Sequence, residues 1–164
     1  LGATTAGSFV FYFDGSDVGL TAVAEDVDGI GMNAAGQLVL STLGSFSVAG
    51  LSGNGADLIV FTPTSMGSAT SGSYTMLFDG SDVGLSAVLA ENVDAAGFMA
   101  SGALLLSTTG NFAVPGLTGS NQNIFRFNST TFGSTTSGTF SMFLNLDTAG
   151  IALGANVVAL EILE

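Results

Sequence analysis

The eight residues FDGSDVGL stand at 13–20 and return unchanged at 78–85. Internal repetition constrains this chain more than any local signal, because each copy must adopt one supersecondary unit and bury its apolar surface against the next. Aligning LGATTAGSFVFYFDGSDVGL, MGSATSGSYTMLFDGSDVGL and FGSTTSGTFSMFLNLDTAGI gives three copies of a leading block, 65 and then 66 residues apart. A longer body follows twice, from EDVDGIGM and from ENVDAAGF, and a third body opens as ANVVALEILE. The chain therefore divides into a leading strand (1–13), repeat 1 (14–78), repeat 2 (79–144) and a truncated third copy (145–164).

Each repeat reads as four strands punctuated by Gly, Ser, Thr and Asn. Phe9, Phe11 and Phe13 alternate with Ser8, Val10 and Tyr12, and Tyr74, Met76 and Phe78 repeat that two-residue period. VDGIGM and QLVLST flank NAAG, while VDAAGF and ALLLST flank MASG, so each pair predicts a hairpin closed by a Gly-containing turn. The fourth strand is DLIVF or NIFRF. No stretch sustains a 3.6-residue period, and β-branched and aromatic residues fill the apolar runs. The expectation is an all-β protein of two tandem, four-stranded, blade-like repeats, stacked as in a sandwich or solenoid. Its terminal strands, Leu1–Phe13 and Asn156–Leu163, are split from the repeats. Two blades cannot close a propeller, which takes four or more.

Thirteen acids face a single cation, Arg126, for a formal charge of −12. That balance excludes nucleic acid and anionic membranes as partners, since both require clustered cations. His, Cys and Lys are missing, so the common nucleophile–base pairs cannot be assembled. A carboxylate pair remains possible for glycoside chemistry, with Glu25 and Asp28 the nearest candidates, but acids that recur with a repeat argue for a structural role. Arg126, set between Phe125 and Phe127, is expected to snorkel from a strand face or to pair with an acid. Asn128-Ser129-Thr130 forms a glycosylation sequon.

The acidic turn has two readings. Asp side chains bond nearby backbone N–H groups and Gly15 and Gly80 suit tight turns, so the first reading is a turn that needs no ion. The second is calcium. Asp14, Ser16, Asp17 and Asp28, with Asp79, Ser81, Asp82 and Asp94 in the second copy, supply hard oxygen ligands, and Asp14, Ser16, Gly19 and Glu25 fall at positions 1, 3, 6 and 12 of a calcium-loop spacing.

FDGSDVGL, the following ENVDA or EDVDG, GALLLSTTGNFAVPGL and TSGTFSMF together resemble the tandem acidic repeats of large secreted proteins of environmental bacteria. The resemblance implies an extracellular module. The expected role is a non-enzymatic structural subunit that associates with itself into a filament, sheath or matrix, the C-terminal strand of one copy pairing with the N-terminal strand of the next. Polysaccharide binding is the alternative.

Overall fold

A computed structural model describes residues 6–86, 88–150, 155–160 and 162. Repeat 1 comprises β1 (Val27–Met32), β2 (Leu38–Thr42), β3 (Phe46–Val48), β4 (Leu51–Gly53), β5 (Leu58–Ser65) and β6 (Ser71–Phe78). Repeat 2 comprises β7 (Val93–Phe98), β8 (Leu104–Thr108), β9 (Phe112–Val114), β10 (Leu117–Gly119), β11 (Asn123–Thr131) and β12 (Ser137–Asn145). Each repeat holds one antiparallel four-stranded sheet, ordered β1-β2-β5-β6 or β7-β8-β11-β12, and one two-stranded hairpin, β3-β4 or β9-β10. The chain is all-β, with the two sheets in tandem and no closed barrel.

Both first hairpins form as their turn residues dictate. In repeat 1 the Asn33 Oδ1 accepts the N–H groups of Ala35 and Gln37, each at 3.0 Å, and Gly36 takes the left-handed conformation with φ 73°. In repeat 2 Met99 stands in place of Asn33, and Gly102, with φ 82°, keeps the same reversal. The bulge between Val27 and Gly29 recurs between Val93 and Ala95, so even the irregularities repeat.

Alternation divides the first sheet into two faces. Leu38, Leu40, Ile59 and Phe61 form a core with Phe46, Val48 and Leu20, the last three supplied by the small hairpin and the acidic turn that cover this face. Val39 and Val60 point the other way and join the core of repeat 2, which includes Leu104, Leu106, Phe125 and Phe127. β2 and β8 are buried on both faces, which is why LVLST and LLLST read as continuous apolar runs rather than alternating ones. Burying Phe125 and Phe127 stabilises the second core by roughly 2–3 kcal/mol each.

At the joint, the free edge of β7 lies across the face of β1. A Cβ on Gly31 would sit 3.0 Å from the Ala96 carbonyl oxygen, and one on Gly29 would sit 3.0 Å from that of Asp94. Glycine on β1 lets an edge with unpaired carbonyls be covered without a strand added to the ladder. Val93 is fully buried at this joint, whereas its counterpart Val27 is 39% exposed.

The expected four-stranded sheet forms in each repeat, and FSV-AG-LSG and FAV-PG-LTG add a short hairpin to it. Two expectations are corrected. The leading strand lies outside the ladders in its described part: residues 6–13, which align with β6, pair with no strand among the described residues. The described part of the terminal strand, residues 156–160 and 162, is likewise unpaired in any ladder and packs on its own chain. Val157 donates to the Asn121 carbonyl at 3.1 Å, and Leu160 covers Gly97. The ends of both predicted terminal strands, 1–5, 161 and 163, lie outside the described residues.

Candidate functional site: the acidic turns

The turn at 13–20 is a single 3-10 turn, Gly15–Val18, entered from Asp14 and left through Gly19 at φ 96°. Asp14 Oδ1 accepts the Ser16 N–H at 3.1 Å and the Ser16 hydroxyl at 2.6 Å. Asp17 Oδ2 accepts the Thr70 N–H at 2.9 Å, and Thr70 Oγ1 in turn accepts the Asp14 N–H at 2.9 Å and donates to the Gly67 carbonyl. The turn is thereby clipped to the loop between β5 and β6. Repeat 2 reproduces every bond: Asp79 with Ser81, Asp82 Oδ2 with the Thr136 N–H at 2.8 Å, and Thr136 Oγ1 with the Asp79 N–H at 2.9 Å.

The remaining acids also hold backbone or buried polar groups. Glu25 is buried and accepts three N–H groups, from Thr21, Ala22 and Ser47, which hold its carboxyl below the usual range, Ala22 contributing most. Glu91 does the same with Ser86 and Ala113; burial raises its pKa, and the Ser86 hydroxyl and the two N–H groups outweigh that, leaving it lowered. Asp57 bridges the repeats, with Oδ2 on the Asn54 N–H and Oδ1 on the Gly80 N–H, and burial raises its pKa.

Asp28 and Asp94 occupy equivalent positions on β1 and β7. Asp28 Oδ1 accepts from the Ser41 hydroxyl at 2.7 Å, and Asp94 Oδ2 accepts from the Asn156 amide at 2.6 Å. Each keeps one buried oxygen without a hydrogen-bond donor. Burial raises both carboxyls, and Asp94, which also feels the charge of Asp28, is pushed up to about 6.

The calcium-type residues are thus spread over separate places. Asp14, Ser16 and Asp17 share one turn, Asp79, Ser81 and Asp82 another, while Asp28 and Asp94 lie on the strands. Among the described residues no three acidic side chains converge. Glu25 and Asp28, the carboxylate pair considered for hydrolysis, are each engaged with donors of their own.

The third copy supplies an internal control. Asn145 caps the turn as Asp14 and Asp79 do, accepting the Asp147 N–H at 3.0 Å, and Gly150 keeps φ 78°. Thr148, Ala155 and Val158 stand where the second copy has Asp82, Glu91 and Asp94. Thr70 and Thr136 were not singled out in the sequence, although TSG recurs 53 or 54 residues beyond the second Asp of each turn.

Comparison with known proteins gives no neighbour: no family model, no curated protein and no solved structure matches this chain. The chemistry of the site rests on its own geometry. The acids receive N–H and hydroxyl donors and fix connections between sheets and turns, which is a framework role.

Proposed function

We propose that the protein is a non-enzymatic structural module that associates with itself through strand addition. The observation that carries this reading is the leading segment. Phe9 is 104% exposed and Val10 87%, and Phe11 and Tyr12 are largely exposed too, in a stretch that aligns with the sheet strand β6. An extended apolar segment of this kind is a strong template for pairing with another chain. The strand order gives the contact its form. First and last strands lie at opposite edges of each sheet, so each repeat offers edges to which an extended segment can add. The leading segment adds to such an edge of a second copy, a heterologous contact that propagates as an open filament when its rotation does not close a ring. The extracellular setting follows from the resemblance of the tandem motifs to secreted acidic repeats.

Negative-stain microscopy and sedimentation velocity test this. The wild-type chain is expected to form elongated assemblies, and a Phe9→Asp, Phe11→Asp variant to sediment as monomer with an unchanged melting temperature, because neither ring is part of a core. Phe13 is left in place, since its ring packs 5.1 Å from that of Phe61. A wild-type monomer, or a double variant that assembles as before, contradicts the proposal.

A further inference from the structure

We infer that Arg126 and the surface pocket beside it form a binding site for the carboxylate of a hexuronate sugar, a site confined to repeat 2. Structural features of this chain recur in both repeats; Arg126 does not. Its counterpart in repeat 1 is Val60, which is buried in the shared core. The only cation of the chain thus stands where the repeat calls for an apolar side chain.

Of the two placements expected for Arg126, the strand face is the one it takes: it is half-buried on β11 beside a surface pocket, no carboxylate among the described residues bonds to it, and its buried Nε has no hydrogen-bond partner. Directly across the ladder from Arg126 is Ser141, whose buried Oγ is also unpartnered. Opposed residues on antiparallel strands project from the same face, so a guanidinium donor and a hydroxyl lie side by side without satisfying each other. Arg126 also lines a surface pocket, where its guanidinium can give an incoming carboxylate a charge-assisted bond.

The pocket itself measures about 350 Å³ and is lined by Arg126 with Ser101, Gly102, Ala103, Asn128 and Ser129. That volume suits one small ligand. Two hydroxyls and an amide around one guanidinium match a ring that carries several hydroxyls and one carboxylate. The net charge of −12 repels densely charged polyanions, so a ligand with one charge per sugar is favoured over sulfated or phosphorylated polymers. This inference stands independently of self-association.

The test is a calorimetric and NMR titration of the full chain with galacturonate, galactose and acetate. Galacturonate is expected to shift the Arg126 Nε–H resonance and to bind at least tenfold more tightly than either galactose or acetate. Arg126→Val, which installs the residue of repeat 1 and should melt as the wild type does, is expected to lower galacturonate affinity at least tenfold, and Arg126→Lys to retain part of it. Acetate binding as tightly as galacturonate would overturn the sugar assignment. Absent binding, or binding that Arg126→Val leaves unchanged, would overturn the site. Loss of self-association in Arg126→Val without any galacturonate binding would assign the pocket to a carboxylate of a second copy and overturn the proposal in that way.

Discussion

Gly80→Ala should lower the melting temperature by about 6–12 °C, whereas Gly15→Ala should leave it within about 1 °C, although both glycines occupy the same place in FDGSDVGL. Gly80 is pressed against the preceding repeat. A Cβ there meets the backbone carbonyl of Ala56, whose carbon would be 3.0 Å away, and the Gly80 N–H donates to the buried Asp57 carboxylate. Gly80 has an ordinary φ of −65°, so backbone conformation is not the obstacle. Overpacking against main chain costs roughly 1–3 kcal/mol, and displacing the Asp57 bond adds to it. Around Gly15 the nearest atoms, from Leu20 and Phe13, are 3.4 Å away, an ordinary contact. Thermal melts of the two single variants decide the matter. Equal shifts would mean that the joint between repeats is not where the structure puts it.

The second expectation concerns pH. An Asp whose folded pKa is raised binds its proton more tightly in the folded chain, so its contribution to stability is complete below the unfolded value, near 3.8, and is lost as pH rises through about 6. For Asp94, which is 3% exposed, a rise to about 6 corresponds to roughly 3 kcal/mol. Asp28 and Asp57 are raised as well and add in the same direction. Glu25 and Glu91, with lowered pKa values, act oppositely: their stabilisation is present above the ordinary Glu value, near 4.5, and disappears as pH falls through their lowered values. Stability is therefore expected to peak near pH 4, and to decline from there through about pH 6. Asp94→Asn should raise the melting temperature at pH 7 by on the order of 5 °C and flatten most of the slope between pH 4 and 6. A wild-type melting temperature that climbs steadily from pH 5 to pH 7, or a variant with an unaltered slope, would contradict the burial of this carboxylate.

The four-stranded sheets were legible because β1, β2 and their turn carry local signals: two apolar runs around NAAG, with a glycine where φ is positive. β3 and β4 were not. Three-residue strands show too little periodicity to register; they form by pairing with each other and by packing Phe46, or its counterpart Phe112 in β9, into the cores. The leading segment misled for the opposite reason. Phe9, Phe11 and Phe13 alternate as a strand should, but alternation reports what a segment can pair with, not whether a partner is present. Gly15 and Gly80 have identical neighbours in sequence and different neighbours in space, so no local reading separates them. The partner of Asp17 lies 53 residues away and that of Asp82 lies 54 away, distances over which local patterns carry no information. The rise in the Asp94 pKa likewise depends on burial and on Asp28 across the joint, contacts that exist only once the repeats stack.

That the acidic turns serve as backbone clips is tested most directly by amide hydrogen exchange at Thr136 and Thr70. With the Asp82 carboxylate on the Thr136 N–H at 2.8 Å, exchange of that amide should be slow in the wild type. It should accelerate by about tenfold or more in Asp82→Ala, while the Thr70 amide, clipped by Asp17, stays as it was. Neither amide should respond to millimolar calcium or to chelator. Protection at Thr136 that survives Asp82→Ala, or that appears only when calcium is added, would contradict the clip.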